Sequence, residues 1–179
     1  MFTRQKGPAC RQAGQSLIEV LIALTVTVVM IVALIAFVLS GLKNAQFAQK
    51  QSKATKLAVE TMEQIKTIRD RNGAIYFSYK DVTVPKTATI FPELWQISMS
   101  GQDSCISSKC YFNIQSNTLI EGSGASAINI GDGFTRQIIF EDNSPLVYSK
   151  EKRVTVNIFW TDSSGDHNSN IQTILSPAI

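Results

Sequence analysis

Residues 14–42 read GQSLIEVLIALTVTVVMIVALIAFVLSGL, and this stretch decides how the chain is organised. Its one charged residue is Glu19, and the sequence from Val20 to Leu42 carries no charge. A helix rises about 1.5 Å per residue and the apolar core of a bilayer is roughly 30 Å thick, so about 20 apolar residues suffice to cross it. The stretch therefore predicts a transmembrane helix.

The residues before this stretch predict its orientation. Three basic residues, Arg4, Lys6 and Arg11, precede it, and no acidic residue does. Positive charge next to a first span tends to stay in the cytoplasm. We therefore expect a single pass through the cytoplasmic membrane, with the N-terminus inside and the larger C-terminal part exported.

Three interpretations compete for this N-terminus. A cleaved secretory signal is disfavoured because its apolar core is about 7–15 residues long, shorter than this one. An ordinary signal anchor would carry its first charge outside the apolar run, whereas Leu17 and Ile18 precede Glu19. In the third interpretation Glu19 has a function, because a carboxylate at the edge of hydrocarbon costs of order a few kcal/mol unless something pairs with it. The simpler alternative is that Glu19 sits at headgroup level.

The arrangement resembles the N-terminus of type IV prepilins and pseudopilins. The matching residues are the basic leader ending in Gly14, the segment from Gln15 to Glu19, and the span. The resemblance implies that prepilin peptidase cuts after Gly14 and methylates the new terminus at Gln15. It also implies that Glu19 neutralises the terminal amine of a neighbouring subunit during assembly. The chain departs from the family at Gln15, where Phe is common, and at Ala36, near which many members have proline.

The same resemblance implies a fold, a location and partners. The fold is α+β, with a long N-terminal helix packed on a C-terminal antiparallel sheet. The expected segments are a leader at 1–14, a transmembrane assembly helix at 15–42, an amphipathic helix at 43–72 and a globular β-rich domain at 73–179. The implied partners are other pilin or pseudopilin subunits, prepilin peptidase, an inner-membrane assembly platform and the lipid bilayer. The fibre would lie at the cell surface or in the periplasm. The alternative is a membrane-anchored, exported ligand-binding module.

Charge and composition exclude some classes of function. The net charge of +3 comes from the three basic residues of the leader, so the rest of the chain has equal numbers of basic and acidic residues. A nucleic-acid surface would need a clustered basic patch, and none is evident.

The segment after the span predicts an amphipathic helix that ends near Arg71. Apolar residues recur at spacings near three and four, which favours core packing under a sheet over a coiled-coil seam. The glycine of Asn72-Gly73 is expected to take the left-handed conformation that ends the helix. Ser40-Gly41 is the point where we expect helix continuity to be weakest. The apolar positions are Ala45, Ala48, Leu57, Ala58, Met62, Ile65 and Ile68.

Beyond Gly73 the composition shifts to Ser, Thr, Asn, Gly and β-branched residues, which is typical of a β-rich domain. Pro85 and Pro92 predict an irregular segment or an edge strand. The segment 75–84 is expected to be a loop or a short strand that connects the helix to the sheet. The predicted strands are 95–100, 110–115, 134–141, 153–160 and 171–175, the last two joined by a turn at 161–166.

The late strands add a second resemblance, to PilV-type minor pilins and the related minor pseudopilin. In these proteins a strand of the form R-x-V-x-V-x-x-W precedes a turn and a last strand. The segment from Ile65 to Arg69 is also similar to helix ends in that group. The resemblance implies a minor rather than a major subunit. The matching strand residues are Arg153, Val154, Val156, Ile158 and Trp160.

Two cysteines lie in the predicted exported part. Cys105 and Cys110 are spaced C-x4-C, and an even pair in an oxidising compartment favours a disulfide over two free thiols. A metal site would need two more ligands, and the one histidine, His167, is far away in sequence. The third cysteine, Cys10, falls in the leader.

No catalytic pattern is evident, and we predict neither enzyme activity nor a cofactor. His167 is interpreted as a solvated loop residue, and turn hydrogen bonding accounts for Asp132 and Asp142. The glycines at 122–124 and 131–133 match neither a phosphate-binding loop nor a dinucleotide fingerprint.

Overall fold

A computed structural model describes residues 13–80, 85–103, 105–122, 124–143 and 151–177. The chain divides into two compact units, residues 1–46 and residues 47–179. We call the second unit the head. The elements are α1 (Ala13–Asp70), β1 (Ala74–Lys80), β2 (Pro85–Ile90), a 3-10 helix (Phe91–Gln96), β3 (Cys110–Gln115), β4 (Thr118–Glu121), β5 (Ile128–Gly131), β6 (Phe134–Asp142), β7 (Lys152–Asp162) and β8 (Gly165–Leu175).

The sequence predicted helix from 15 to 72, and α1 runs from Ala13 to Asp70 without a break. It passes through Ser40 and Gly41, where the weakest continuity was expected. A Cβ built on Gly41 would meet no other atom within 4 Å. This glycine therefore serves no close packing contact within the described residues.

The helix ends in a Schellman motif, which corrects the prediction for Gly73. Asn72, not Gly73, takes the left-handed conformation, with φ of 50°. The Asn72 N–H donates to the Arg69 carbonyl at 3.0 Å, and the Gly73 N–H donates to the Ile68 carbonyl at 2.8 Å. These are the two bonds that satisfy the last carbonyls of a helix. Glycine is needed one position later because a Cβ on Gly73 would lie 2.9 Å from Ile68 Cγ2.

We expect Gly73→Ala to destabilise the head by about 1–3 kcal/mol, because the added methyl overpacks a site backed by the buried Ile68. Asn72→Gly should be neutral or slightly stabilising, since glycine reaches the left-handed region without steric cost. Urea unfolding of the two variants measures the difference. Equal midpoints would contradict this account of the helix end.

One face of the head portion of α1 packs on the sheet, as the spacing of its apolar residues predicted. Ala58, Met62, Ile65 and Ile68 are buried in a single core shared with the strands. Ala45 and Ala48, which were predicted to share this face, are exposed. The helix therefore contributes core packing from its last four turns. The remaining buried helix residues are Ala54 and Thr61.

The sheet has the order β2-β1-β4-β3-β6-β7-β8, and β5 pairs with β6. The α+β class was predicted correctly, but the sheet is mixed where an antiparallel sheet was expected. β1 and β4 are parallel, with Ile75 opposite Leu119 and Tyr76 opposite Ile120. The reason is that β4 lies between β3 and β1. It pairs antiparallel with β3, and on its other side it runs in the same direction as β1.

The predicted strands agree with the structure at 110–115 and, within two residues at each end, at 134–141 and 153–160. β2 is an edge strand, as its proline predicted. The predicted strand at 95–100 is wrong, because Trp95 lies in the 3-10 helix. Pro92 stands near the start of that helix, where its missing N–H costs nothing. β4 and β5 were not predicted, since each has only four residues.

β7 and β8 form a hairpin with a two-residue turn at Ser163 and Ser164. The pairing continues for eleven residue pairs without a register shift, from Asp162 opposite Gly165 to Lys152 opposite Leu175. The last strand is therefore longer than the predicted segment, 171–175. The first residues of β8, from Gly165 to Asn170, are polar or glycine, so they show no alternation of hydrophobic and polar residues that would have predicted a strand.

Candidate functional site

The part of α1 before the head presents an apolar surface that carries no charged residue from Val20 to Leu42. Its large hydrophobic side chains between Leu17 and Leu42 are 48–78% exposed. Thr25 and Thr27 donate their hydroxyls to the carbonyls of Ile22 and Ala23, at 2.8 Å and 2.7 Å. These two hydroxyls are therefore satisfied within the helix itself, as an apolar surrounding requires.

The most apolar 18-residue window of this helix has a mean hydropathy of 3.0, and none of it is buried within the chain. The described residues contain one helix that is long and apolar enough to span a membrane. A soluble core helix with this composition would be buried. We conclude that the chain carries a single-pass membrane anchor near its N-terminus.

The structure places the predicted assembly residues at the start of this helix. Glu19 is exposed, between apolar neighbours on the helix surface. Gly14 and Gln15 lie in the first turn, so the predicted cleavage point falls just inside α1. The basic residues of the predicted leader, Arg4, Lys6 and Arg11, lie outside the described residues, as does Cys10.

The predicted disulfide is present, joining Cys105 to Cys110. It closes a hairpin in which Ile106 and Lys109 exchange backbone hydrogen bonds of 3.0 Å and 2.9 Å. Cys110 begins β3 and is completely buried. The bond therefore ties an exposed turn to the core of the head.

We expect replacement of both cysteines by serine to lower the stability of the head by about 2 kcal/mol, from the chain entropy of the short loop that the bond closes. Thermal unfolding with and without a reducing agent measures the same quantity on the unmodified chain. The serine variant supplies the control, because its melting temperature should not respond to the reductant. An unmodified chain that is equally insensitive would contradict the expectation.

A buried ion pair joins the base of the β6–β7 hairpin to the segment after the 3-10 helix. Lys152 Nζ lies 2.6 Å from Asp142 Oδ1, with side chains 0% and 6% exposed. The same Nζ donates to the Ile97 carbonyl at 2.6 Å. Asp142 Oδ2 accepts hydrogen bonds from the Ser98 hydroxyl and the Met99 N–H, both at 3.0 Å. The pair thus holds three backbone segments together.

Burial lowers the pKa of Lys152, and its hydrogen bond and charge interaction with Asp142 oppose that shift. The interpretation of Asp142 as a turn residue was therefore wrong. Asp142 and Lys152 are opposite residues on β6 and β7. The spacing of residues in the sequence does not predict this ion pair, because the register of β6 and β7 decides which of their residues lie opposite each other.

The tip of the β7–β8 hairpin also corrects a prediction. His167 lies in β8, where its ring contacts Trp160 and Phe47 at centroid distances of 5.5 Å and 5.0 Å. Its Nε2 lies 3.0 Å from Asp162 Oδ1 and 3.1 Å from Ser164 Oγ. It is a partly buried packing residue instead of a solvated loop residue.

This tip contains Ser, His and Asp, but it lacks the geometry of a catalytic triad. The same ring nitrogen, Nε2, faces both Ser164 and Asp162, whereas a triad uses the two nitrogens separately. Hydrogen bonds from the Ser164 hydroxyl and N–H, and a smaller contribution from His167, lower the pKa of Asp162 to about 2. The arrangement therefore fixes the turn.

Asp132 stands in the turn between β5 and β6, as predicted, and pairs with α1. Its carboxylate lies 2.7 Å from Lys53 Nζ. The hydrogen bond and the charge of Lys53 lower the pKa of Asp132. Both side chains are about half exposed or more, so this contact adds little to stability.

Within the described residues, no group of three or more His, Cys, Asp or Glu side chains is placed to hold a metal ion. The candidate functional site is therefore the apolar anchor with its single carboxylate. Comparison of the chain with protein-family models, with curated proteins and with solved structures found no match.

Proposed function

We propose that this chain is a structural subunit, of the minor class, of a type IV pilus or a type II secretion pseudopilus. Prepilin peptidase would cut it after Gly14, and its N-terminal helix would pass from the membrane into a fibre. The observation that carries the proposal is a lone carboxylate, Glu19, on an exposed apolar helix five residues after the predicted cut.

The exposed apolar surface supports a helix that exchanges one apolar surrounding for another. In lipid, helix association is driven by van der Waals packing and interhelical hydrogen bonds, since lipid tails are as apolar as the side chains. The surface between Leu17 and Leu42 can therefore lie against lipid or against other subunits at similar cost. The same side chains that contact lipid could therefore form the helix contacts in the core of a fibre.

Glu19 would make the free energy of the helix in the fibre differ from its free energy in the membrane. At the edge of the hydrocarbon its carboxylate costs of order a few kcal/mol, and a cation from a neighbour removes that cost. The new amino terminus created at Gln15 is such a cation. The pairing would stabilise the assembled state over the isolated membrane state and would set how far neighbouring helices are staggered.

The disulfide supports export of the head. A count of basic residues does not by itself tell which end of the span faces the cytoplasm, because four lysines follow the span as closely as three basic residues precede it. These lysines are Lys43, Lys50, Lys53 and Lys56. Disulfides persist in oxidising compartments and are rare in the cytosol. The bond between Cys105 and Cys110 therefore favours the exported side.

The assignment to the minor class rests on the resemblance of β7 to the corresponding strand of PilV-type proteins. The apolar residues of that pattern are all buried beneath α1. Because these residues alternate along β7, they all lie on the buried face of the sheet and pack in the core of the head. These residues are Val154, Val156, Ile158 and Trp160.

We expect the purified mature protein to begin at Gln15, and Gly14→Ala to retain residues 1–14. Intact mass and N-terminal sequencing measure both, and the retained leader shows as a band without a shift on a gel. Gly41→Ala is the matched control, since it makes the same change on α1 at a place with nothing to contact.

A mature protein that begins at Met1 would favour the alternative, a membrane-anchored exported binding module. Gly14 and Glu19 have no function in that alternative. Processing of Gly14→Ala at the normal rate would contradict cleavage by prepilin peptidase.

A further inference from the structure

The end of α1 favours two residue types in a fixed order. Asn72 occupies the left-handed conformation, with φ of 50°, which asparagine adopts more readily than most side chains. Glycine follows it because a Cβ on residue 73 would lie 2.9 Å from Ile68 Cγ2 and 3.1 Å from the Ile68 carbonyl oxygen. The helix end therefore favours Asn72-Gly73, which is the one Asn-Gly dipeptide in the sequence.

Asn-Gly is also a chemically labile dipeptide. In deamidation, the backbone nitrogen of the following residue attacks the side-chain amide carbon of asparagine. The new N–C bond closes a succinimide ring, the bond from that carbon to Nδ2 breaks, and Nδ2 leaves as ammonia with the proton of the backbone N–H. Water then opens the ring at either carbonyl and leaves aspartate or isoaspartate. Glycine favours the reaction because it has no side chain to hinder the attacking nitrogen.

Burial does not protect this dipeptide. Asn72 is exposed and Gly73 is partly exposed, and the two residues before them, Asp70 and Arg71, are exposed as well. Water and hydroxide therefore reach the side-chain amide of Asn72 in the folded chain. Any protection must come from the backbone.

The backbone of Gly73 is held on both sides. Its N–H donates to the Ile68 carbonyl at 2.8 Å, and its carbonyl accepts from the Phe91 N–H at 3.1 Å. Ile68 and Phe91 are both buried in the core, so neither partner can follow a movement of Gly73. The nitrogen must lose its proton and turn toward the Asn72 side chain before it can attack. The bond to Ile68 opposes both changes.

We infer that Asn72 is a site of spontaneous deamidation that the folded helix end holds closed and that opens when the last turn of α1 unfolds locally. The reaction consumes only water. The same glycine that closes the helix end makes the dipeptide labile, and the hydrogen bond it donates to Ile68 offsets that lability. The inference does not depend on the proposed function.

The product cannot rebuild the helix end. Isoaspartate carries the backbone through its Cβ, so it adds one carbon to the chain between residues 72 and 73. The N–H groups of these two residues then lose the spacing at which they reach the carbonyls of Arg69 and Ile68. A local opening that ends in reaction therefore disrupts the junction of α1 with β1 permanently.

The first experiment needs no variant. The full chain in detergent is incubated at mildly alkaline pH, with and without enough urea to unfold the head. Peptide mapping by mass spectrometry measures the gain of about 1 Da that conversion of an amide to a carboxylic acid produces at residue 72. We expect the folded chain to deamidate at least about tenfold more slowly than the chain in urea, because only its open fraction reacts.

Hydrogen exchange of the Gly73 amide supplies an independent measure of the same opening. Exchange and deamidation both begin with removal of the Gly73 amide proton, so folding should slow the two reactions by a similar factor. Equal deamidation rates in the folded and the unfolded chain would overturn the inference. Strong protection of the Gly73 amide without protection of Asn72 would overturn the role of this hydrogen bond.

Three variants locate the protection. Ile68→Ala should raise the deamidation rate of the folded chain about tenfold, because it loosens the residue that accepts the Gly73 hydrogen bond. Ile65→Ala is the matched control, since it makes the same change at a buried residue of the preceding turn. Asn72→Gly should show no mass gain, which assigns the reaction to residue 72. Equal acceleration by Ile65→Ala and Ile68→Ala would overturn the assignment of the protection to the helix end.

Discussion

A Glu19→Ala variant should be cut after Gly14 at the normal rate and should enter fibres at least about 100-fold less than the unmodified chain. Under the proposed pairing, the variant would leave the neighbour's terminal amine buried without a partner, and breaking a buried ion pair in this way costs about 3–5 kcal/mol. Each 1.4 kcal/mol is about a tenfold change in an equilibrium constant. Quantifying the subunit in sheared fibres and in membranes measures the ratio.

Glu60→Ala is the matched control for this experiment. Glu60 lies on the same helix, in the head, and it forms an ion pair of 3.7 Å with Lys56 on the surface. Such a pair is worth about 1 kcal/mol or less. Normal incorporation of Glu19→Ala, or equal loss in both variants, would contradict the proposed pairing of Glu19 with a terminal amine.

An Asp142→Ala variant should destabilise the head by about 3–5 kcal/mol, because Lys152 then stays fully buried without its carboxylate. The variant also leaves the Met99 N–H and the Ser98 hydroxyl without their acceptor. Since small domains are stable by only about 5–15 kcal/mol, this is a large share of the total stability of the head. Urea unfolding of the full chain in detergent measures the change.

Two further variants separate the buried charge from general damage to the head. Replacing both partners by apolar residues, Asp142→Leu with Lys152→Met, should recover most of the loss, since paired burial of charge contributes little net stability. Lys56→Ala, at a side chain that is 76% exposed, should change stability by less than about 1 kcal/mol. Similar midpoints for Asp142→Ala and Lys56→Ala would contradict the importance of the buried pair.

Local patterns predicted the parts of the fold that depend on neighbours in sequence. The anchor followed from an uncharged run, and the head portion of α1 followed from the spacing of Ala58, Met62, Ile65 and Ile68. The disulfide followed from two cysteines with four residues between them. In each case the residues that interact lie within a turn or two of one another, so periodicity and spacing were sufficient.

Predictions failed at Trp95 and Asn72 because of local contacts that spacing alone did not reveal, and at His167 because of packing that involves a distant residue. Trp95 has the composition of a strand, but Pro92 and Glu93 form a 3-10 helix that turns its ring into the core. The conformation of Asn72 depended on how closely Gly73 approaches Ile68. His167 reads as a turn residue until β8 places it against Phe47 and Trp160.

The sequence by itself determined that this chain has a membrane anchor with one carboxylate, an amphipathic helix and a β-rich domain closed by a disulfide. Only the tertiary structure decided the parallel pairing of β1 with β4 and the burial of Lys152 against Asp142. The physical reason is that strand order and register bring together residues far apart in the chain. No local spacing encodes which of them meet.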